Sequence, residues 1–340
     1  MTDKNEITGK PTVLKELNIS LLKDALKKSG RATRVELSKQ TKISQPTVNL
    51  LINELLADKT VVSLGVAEST GGRKAELYAL NLKRSSAALI IVGEGGFETA
   101  VVDMGLAEER RDMVKRDRRQ SYLKQLVSIL GGMLKKSPNI GAISVGVPGA
   151  VSKEGEVFAI PQIPEFEHFA LRAELENCFG LPVQVTNDIN ATTFGYRLLH
   201  EEAENLVYLY TEGEKIGAGL ILNGALYPGC TSFAGEVGYM RLGGRSVEEI
   251  MSGKETGLSF LSLLAQVVVN LVCMFNPEKI VLAGKADIEQ QLPELIQECE
   301  RLLPASVLPA IDAAKAEEGY YFKGLGGLGI ALLEQDIHIT

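Results

Sequence analysis

Thr33-Arg-Val-Glu-Leu-Ser-Lys-Gln-Thr-Lys-Ile-Ser-Gln-Pro-Thr-Val-Asn49 leads, through an apolar run, to Ser69-Thr-Gly-Gly-Arg-Lys-Ala-Glu-Leu-Tyr-Ala-Leu-Asn81. Thr33 and Glu36 have the spacing of a capping box, which predicts a helix from Arg34 to about Gln40. Thr41 to Ile43 makes a turn. Ser44 caps the next helix, and Pro46 is tolerated in its first turn. Val48, Leu51, Ile52, Leu55 and Leu56 share one face of that helix and must pack on earlier elements. The face left outside carries Gln45, Thr47, Asn49 and Asn53, with Leu50 an apolar exception. Short amides and hydroxyls near a helix N-terminus suit base edges and phosphates.

Working outward, Val13 to Lys28 sets Leu14, Leu17, Leu21, Leu22, Ala25 and Leu26 on one helical face, closed by Gly30. Thr60–Leu64 and Ala75–Leu80 alternate as two strands around Gly71-Gly72-Arg73-Lys74, where an arginine on a glycine turn fits a narrow minor groove. Residues 11–84 thus read as a winged helix-turn-helix. The expected DNA contacts are Arg34, Ser44, Gln45, Thr47, Asn49, Asn53, Gly72, Arg73 and Lys74. The competing reading is a helical pair for protein contacts with a solvated turn.

Charge favours DNA. Residues 1–84 hold 15 Lys/Arg against 9 Asp/Glu, whereas the remainder is strongly acidic and the whole chain carries −7. A basic head is drawn to phosphates by counterion release, and an acidic body is repelled. The four cysteines, 178, 230, 273 and 299, are too widely spaced for a zinc or redox motif and too few for a disulfide framework. With no signal segment, and with Ser259, Ser262, Gln266 and Asn270 interrupting the longest apolar run, the expectation is a cytoplasmic protein with no membrane partner.

The body repeats a plan. Ala87–Asp103 reads as a hairpin around Gly93-Glu-Gly-Gly96, and Asn205–Asn223 as another around Thr211-Glu-Gly-Glu-Lys215; helices and further strands follow each. Duplicated halves with a cleft between them suggest an α/β, actin-like (ribonuclease H-like, sugar-kinase-type) ATPase fold. It would occupy 85–340, with lobes of about 85–186 plus the C-terminal helix and 187–320.

Four motifs make the resemblance specific: Ser144-Val-Gly-Val-Pro-Gly-Ala-Val151, Leu181-Pro-Val-Gln-Val-Thr-Asn-Asp-Ile-Asn-Ala-Thr192, Ile216-Gly-Ala-Gly-Leu-Ile-Leu-Asn-Gly-Ala-Leu-Tyr-Pro-Gly229 and Phe233-Ala-Gly-Glu-Val-Gly-Tyr-Met240. Together they resemble the ROK family of repressors, open reading frames and sugar kinases and, head included, its repressor branch. The resemblance implies that Asp188 stands at the position of the kinases' catalytic base. It also implies that Asn187, Glu236 and Glu248 hold sugar hydroxyls, while Gly146 and Gly149 let backbone close on the ring.

Departures from the family pattern shape the expected function. Ile91-Val-Gly-Glu-Gly-Gly96 lacks the aspartate of the family's first phosphate loop, and Gly213-Glu214-Lys215 replaces the second. Two unit charges ~4 Å apart repel by about 4 kcal/mol at an effective dielectric of 20, so a glutamate in each loop opposes a triphosphate. Tyr239 replaces a zinc-ligand histidine, and the cysteine-free run Gly243-Gly-Arg-Ser-Val-Glu-Glu249 replaces the cysteine loop. Gln162 stands where an asparagine is common.

The expectation is a DNA-binding transcriptional regulator, a repressor of carbohydrate-use genes, with no catalysis and no metal, zinc or ATP cofactor. A sugar-like effector is expected at Gly149, Gln162, Asn187, Asp188, Glu236, Tyr239 and Glu248. Its other partners are a double-stranded operator and a second copy of itself, in a homodimer or higher oligomer. Two alternatives stay open: an active sugar kinase with a DNA-binding head, and a ligand-blind repressor whose body only dimerises.

Overall fold

The computed structural model describes residues 11–66, 75–200, 203–253, 259–284, 287–314 and 319–335. Two compact units divide it, one built on the chain up to Ser85 and one on Ser86–Val102 with Leu106–Leu333.

In the first unit α1 (Pro11–Ser29) and β1 (Ala32–Thr33) precede α2 (Arg34–Thr41) and α3 (Gln45–Ala57), and β2 (Val61–Val66) and β3 (Glu76–Leu80) close it. Both halves of the Thr33/Glu36 capping box are formed, and Ser44 caps α3 with Pro46 in its first turn. Lys42 takes a left-handed conformation to end α2. The sheet order is β1-β3-β2, antiparallel throughout, which completes a winged helix. Val48, Leu51, Ile52 and Leu55 of α3 pack with Leu22, Leu26, Leu37 and Tyr78.

The expected face of α1 is only half covered. Leu22 and Leu26 are buried, but Leu14, Leu17 and Leu21 are 58%, 55% and 38% exposed. Length explains the difference. Nineteen residues make α1 about 28 Å long, whereas the eight of α2 span about 12 Å and cannot cover it.

The second unit contains two sheets of one design. β4 (Ser86–Gly93), β5 (Gly96–Asp103), β6 (Glu108–Lys115), α4 (Tyr122–Lys136), β7 (Ile140–Val147), the short β8 (Ala150–Val151) and β9 (Val157–Phe158), α5 (Leu171–Phe179) and β10 (Val183–Asn187) make the first half. Its sheet runs β10-β7-β4-β5-β6. After α6 (Asp188–His200) come β11 (Leu206–Glu212), β12 (Lys215–Leu222) and β13 (Ala225–Leu226). The chain continues through β14 (Arg241–Leu242), β15 (Arg245–Ser246), α7 (Val247–Ser252), α8 (Phe260–Phe275), β16 (Lys279–Ala283), α9 (Ile288–Leu302) and β17 (Ala310–Ala313). This sheet runs β13-β12-β11-β16-β17.

Both sheets place a three-strand meander beside two strands reached by helical crossovers. The crossover strands are parallel to the first meander strand, β4 with β7 and β11 with β16. The predicted hairpins are β4/β5 and β11/β12, the second turning at Gly213 with φ 60°. Each half ends in a helix, α6 for the first and α10 (Tyr320–Gln335) for the second.

These two helices touch backbone to backbone. A Cβ on Gly195 of α6 would strike the Tyr320 carbonyl, and one on Gly324 of α10 would strike the Ala191 carbonyl. α8 is buried along Leu263, Leu264, Val267, Val268 and Leu271, as a core helix should be. Among the described residues, no helix is long and apolar enough to cross a membrane.

Candidate functional site

In the first unit the polar face of α3 is largely engaged with its neighbours. Arg34, at the start of α2, donates from Nε to the Tyr78 hydroxyl at 2.9 Å and from Nη2 to Asn53 Oδ1 at 2.7 Å. Nη1 lies 3.4 Å from Asn49 Oδ1, and the guanidinium sits 5.0 Å from the Tyr78 ring centre. The Tyr78 hydroxyl donates to Glu76 Oε2 at 2.6 Å, and Ser63 donates to the other Glu76 oxygen at 2.5 Å. One hydrogen-bonded chain therefore links α3, α2, β3 and β2.

Ser44 and Thr47 also pair, hydroxyl to hydroxyl at 2.8 Å, while Ser44 Oγ accepts from the Thr47 amide. Gln45 is exposed, and its side-chain amide makes no hydrogen bond among the described residues. Leu50 beside it is 59% exposed. Gly72, Arg73 and Lys74 of the expected wing lie outside the described residues. Arg34, Asn49 and Asn53, expected as separate DNA contacts, are joined directly through the Arg34 guanidinium, and Tyr78 and Glu76, which no sequence pattern marks, hold Arg34 from the sheet side.

In the second unit the junction of β10 and α6 holds Asn187 and Asp188. Asn187 Nδ2 donates to Asp188 Oδ1 at 3.0 Å and to the Gly149 carbonyl at 3.4 Å. Its own Oδ1 accepts from the Asn190 amide at 3.0 Å, and the Ile189 amide donates to Asp188 Oδ1 at 2.8 Å. The motif thus caps the helix it begins. Burial raises the Asp188 pKa despite those bonds and the nearby Lys215. Burial also raises Glu236, with Glu248 and Asp188 adding to the shift. Glu248 is exposed and packs on Gly238, where a Cβ would meet its carboxylate. The Glu236 carboxyl thus lies in the field of both Glu248 and Asp188.

Tyr321, at the start of α10, belongs to no motif and enters the site only through the fold. Its hydroxyl fills the space at Gly146 that had been reserved for a sugar ring. Its pKa is raised well above the ordinary value by burial, with Asp188 and Glu98 contributing. Gly149 likewise faces protein: a Cβ there would lie 2.8 Å from Ile160 and 3.1 Å from the Phe158 carbonyl. Gln162 Oε1 is buried and accepts no hydrogen bond among the described residues. Tyr239 is 63% exposed and lies against Phe233, with ring centres 5.3 Å apart. No hydrogen bond ties it to the carboxylates among the described residues.

Of the residues at the positions expected for phosphate and zinc, some are engaged elsewhere and one is solvated. The Glu94 carbonyl in the β4/β5 turn accepts from the Tyr122 hydroxyl at 3.1 Å, and Glu214 projects from the β11/β12 turn into solvent. Ser246 and Glu249 form a capping box at α7, and Arg241 bridges to Glu249 at 3.1 Å. Among the described residues no three His, Cys, Asp or Glu stand together as a metal site would require.

Against known proteins, residues 89–257 match the family model described as ROK family. A protein named xylose repressor, from Caldicellulosiruptor bescii, is 30% identical over 241 residues, covering 68% of this chain and 60% of its own. The Escherichia coli DNA-binding transcriptional dual regulator NagC is 23% identical over 243 residues, covering 69% and 59%. The chain therefore spans about 60% of the length of the curated relatives it matches.

Among solved structures, a ROK family transcriptional regulator, described as a homolog of E. coli MLC protein, has a TM-score of 0.74 at 18% identity, covering 96% of this chain and 97% of that one. A ROK hexokinase from Thermus thermophilus has a TM-score of 0.60 at 20% identity, covering 74% and 99%. These two establish the fold as that shared by ROK regulators and actin-like sugar kinases.

Proposed function

Because this chain carries a ROK family domain, we propose that it is a DNA-binding transcriptional regulator, a repressor of carbohydrate-use genes, whose body binds a sugar-like effector and performs no catalysis. The observation that carries the reading is a winged helix with an exposed Gln45, Leu50 and Asn53 on its third helix, in one chain with that domain. The names of the relatives, xylose repressor and DNA-binding transcriptional dual regulator, point the same way.

For the effector, the support is two desolvated carboxyl groups and a buried amide oxygen without a partner among the described residues. Asp188 and Glu236 keep raised pKa values, and Gln162 keeps an idle acceptor. Buried polar groups without partners await a ligand or ordered water, and sugar hydroxyls donate to such acceptors. Asp188 serves in this reading as an anchor and not as a base. ATP and zinc are not required: the turns that would face phosphate carry Glu94 and Glu214, and the run at 243–249 carries no cysteine. A second copy of the chain, operator DNA and the effector complete the proposed partners, in a cytoplasmic setting.

The effector shifts the regulator between states through its unequal affinity for them. A thermal-shift screen with neutral sugars and sugar phosphates, run beside operator titrations at several salt concentrations, tests the proposal. Expected are a stabilising sugar and steeply salt-dependent DNA binding. Sugar-dependent ADP release abolished by Asp188→Asn would return the kinase reading, and stoichiometric zinc by elemental analysis would refute the metal-free one.

A further inference from the structure

Arg34 was expected to meet DNA itself, yet it holds the amide oxygens of the residues expected to read bases. A guanidinium has only donors, so the Asn53 atom at 2.7 Å and the Asn49 atom at 3.4 Å must be oxygens, which fixes the orientation of both amides. Neither Nδ2 group donates a hydrogen bond among the described residues.

An asparagine recognises adenine by accepting from N6 while donating to N7. Here the accepting half is engaged. The positive charge of Arg34 beside it disfavours a second donor, whether adenine N6–H or cytosine N4–H. What remains is a surface of donors, which suits the paired acceptors O6 and N7 of guanine or O4 of thymine better than adenine, whose N7 acceptor is flanked by the N6 donor. Exposed Leu50 on the same helix adds an apolar contact of the kind a thymine methyl takes. Gln45 is the internal control, because its amide is held by nothing described and keeps both halves.

We propose that Arg34 sets the base preference of α3: by occupying the amide oxygens of Asn53 and Asn49 it makes that part of the helix select guanine or thymine over adenine, leaving Gln45 as the residue able to read adenine. The inference rests on the DNA-binding function proposed above. Arg34 acts through its neighbours as a positioning residue, and Tyr78 and Glu76 hold it from the sheet side.

Selection from a randomised duplex by the full-length chain tests it, comparing wild type, Asn53→Ala, Arg34→Met and Tyr78→Phe. At the base pair whose preference disappears in Asn53→Ala, the wild type should favour guanine or thymine over adenine by about tenfold. Arg34→Met should move that position toward adenine, and Tyr78→Phe, which keeps the ring but frees Nε, should move it less in the same direction. If circular dichroism shows Arg34→Met to be unfolded, Tyr78→Phe carries the test.

Adenine at that position in the wild type overturns the inference. So does an unchanged preference in both variants, or no base pair that depends on Asn53. A wild type that enriches no sequence and binds without salt dependence overturns the DNA-binding reading too, and is recognisably a different failure.

Discussion

The winged head and the ROK body treat polar side chains in opposite ways. In the head, Thr33 pairs with Glu36, Ser44 with Thr47, and Arg34 with Asn53 and Tyr78. In the body, Glu236 lies in the field of Glu248 and Asp188, Tyr321 has no hydrogen bond among the described residues, and Gln162 has an idle oxygen. A satisfied network fixes a surface before its partner arrives. An unsatisfied one stores affinity for a ligand at the expense of stability, as binding sites commonly do. Under the function proposed above, the head would meet a long, regular polymer and the body a small polar molecule.

The comparison can be broken in several places. The largest effect belongs to Ile52→Ala, which opens a cavity in the head's core and should cost about 2–5 kcal/mol of head stability. Hydrogen exchange should show the loss in α3 and β3 and leave β7 and β11 protected; loss of protection in both units would contradict separate cores. Next, Asp188→Ala should weaken effector binding ten- to a hundredfold, since charge-assisted bonds contribute roughly 1.5–3 kcal/mol each. Calorimetry showing equal affinity would leave Asp188 a helix cap and nothing more.

A smaller and opposite pair follows. Thr33→Ala removes the capping box and should destabilise the head by about 1 kcal/mol, whereas Asp188→Asn should leave the ligand-free body as stable or more so. The contrast fails if both variants melt earlier.

The smallest effect is a slope with pH, and its sign differs between the units. Asp188 and Glu236 have folded values above their ordinary 3.8 and 4.5. Their contribution to stability is complete below those ordinary values and is lost as pH rises through the raised ones. Glu36 is lowered, mainly by the Thr33 backbone amide and then by its hydroxyl. Its contribution is present above 4.5 and is lost as pH falls through the lowered value. Melting curves across the acid range should therefore flatten for the body in Asp188→Asn and for the head in Glu36→Gln, from opposite directions.

What could be read from the sequence was local or repetitive. The capping box, the Ser44 cap, both hairpins and the duplicated halves follow from spacing within a few residues or from alternation. The features that escaped depend on distance. Periodicity gives α1 an apolar face but not the length of what covers it, so the exposure of Leu14, Leu17 and Leu21 is not legible from it. Asn49 and Asn53 lie 15 and 19 residues from Arg34, and nothing in their own neighbourhood signals that their oxygens are taken. Tyr321 reaches Gly146 only because α10 settles on α6 at two glycines, a meeting that no pattern within either helix announces.

That meeting has the form of a two-fold contact inside one chain. Ala191 and Gly195 on α6 face Tyr320 and Gly324 on α10, each pair four residues apart, and each glycine lies under a carbonyl of the other pair. It is the self-complementary arrangement expected of an isologous dimer interface. One displacement therefore relieves both sites at once. Gly195→Ala or Gly324→Ala should each cost about 1–3 kcal/mol by forcing the helices apart, yet the double variant should cost much less than the sum, because the first methyl opens the gap that the second needs.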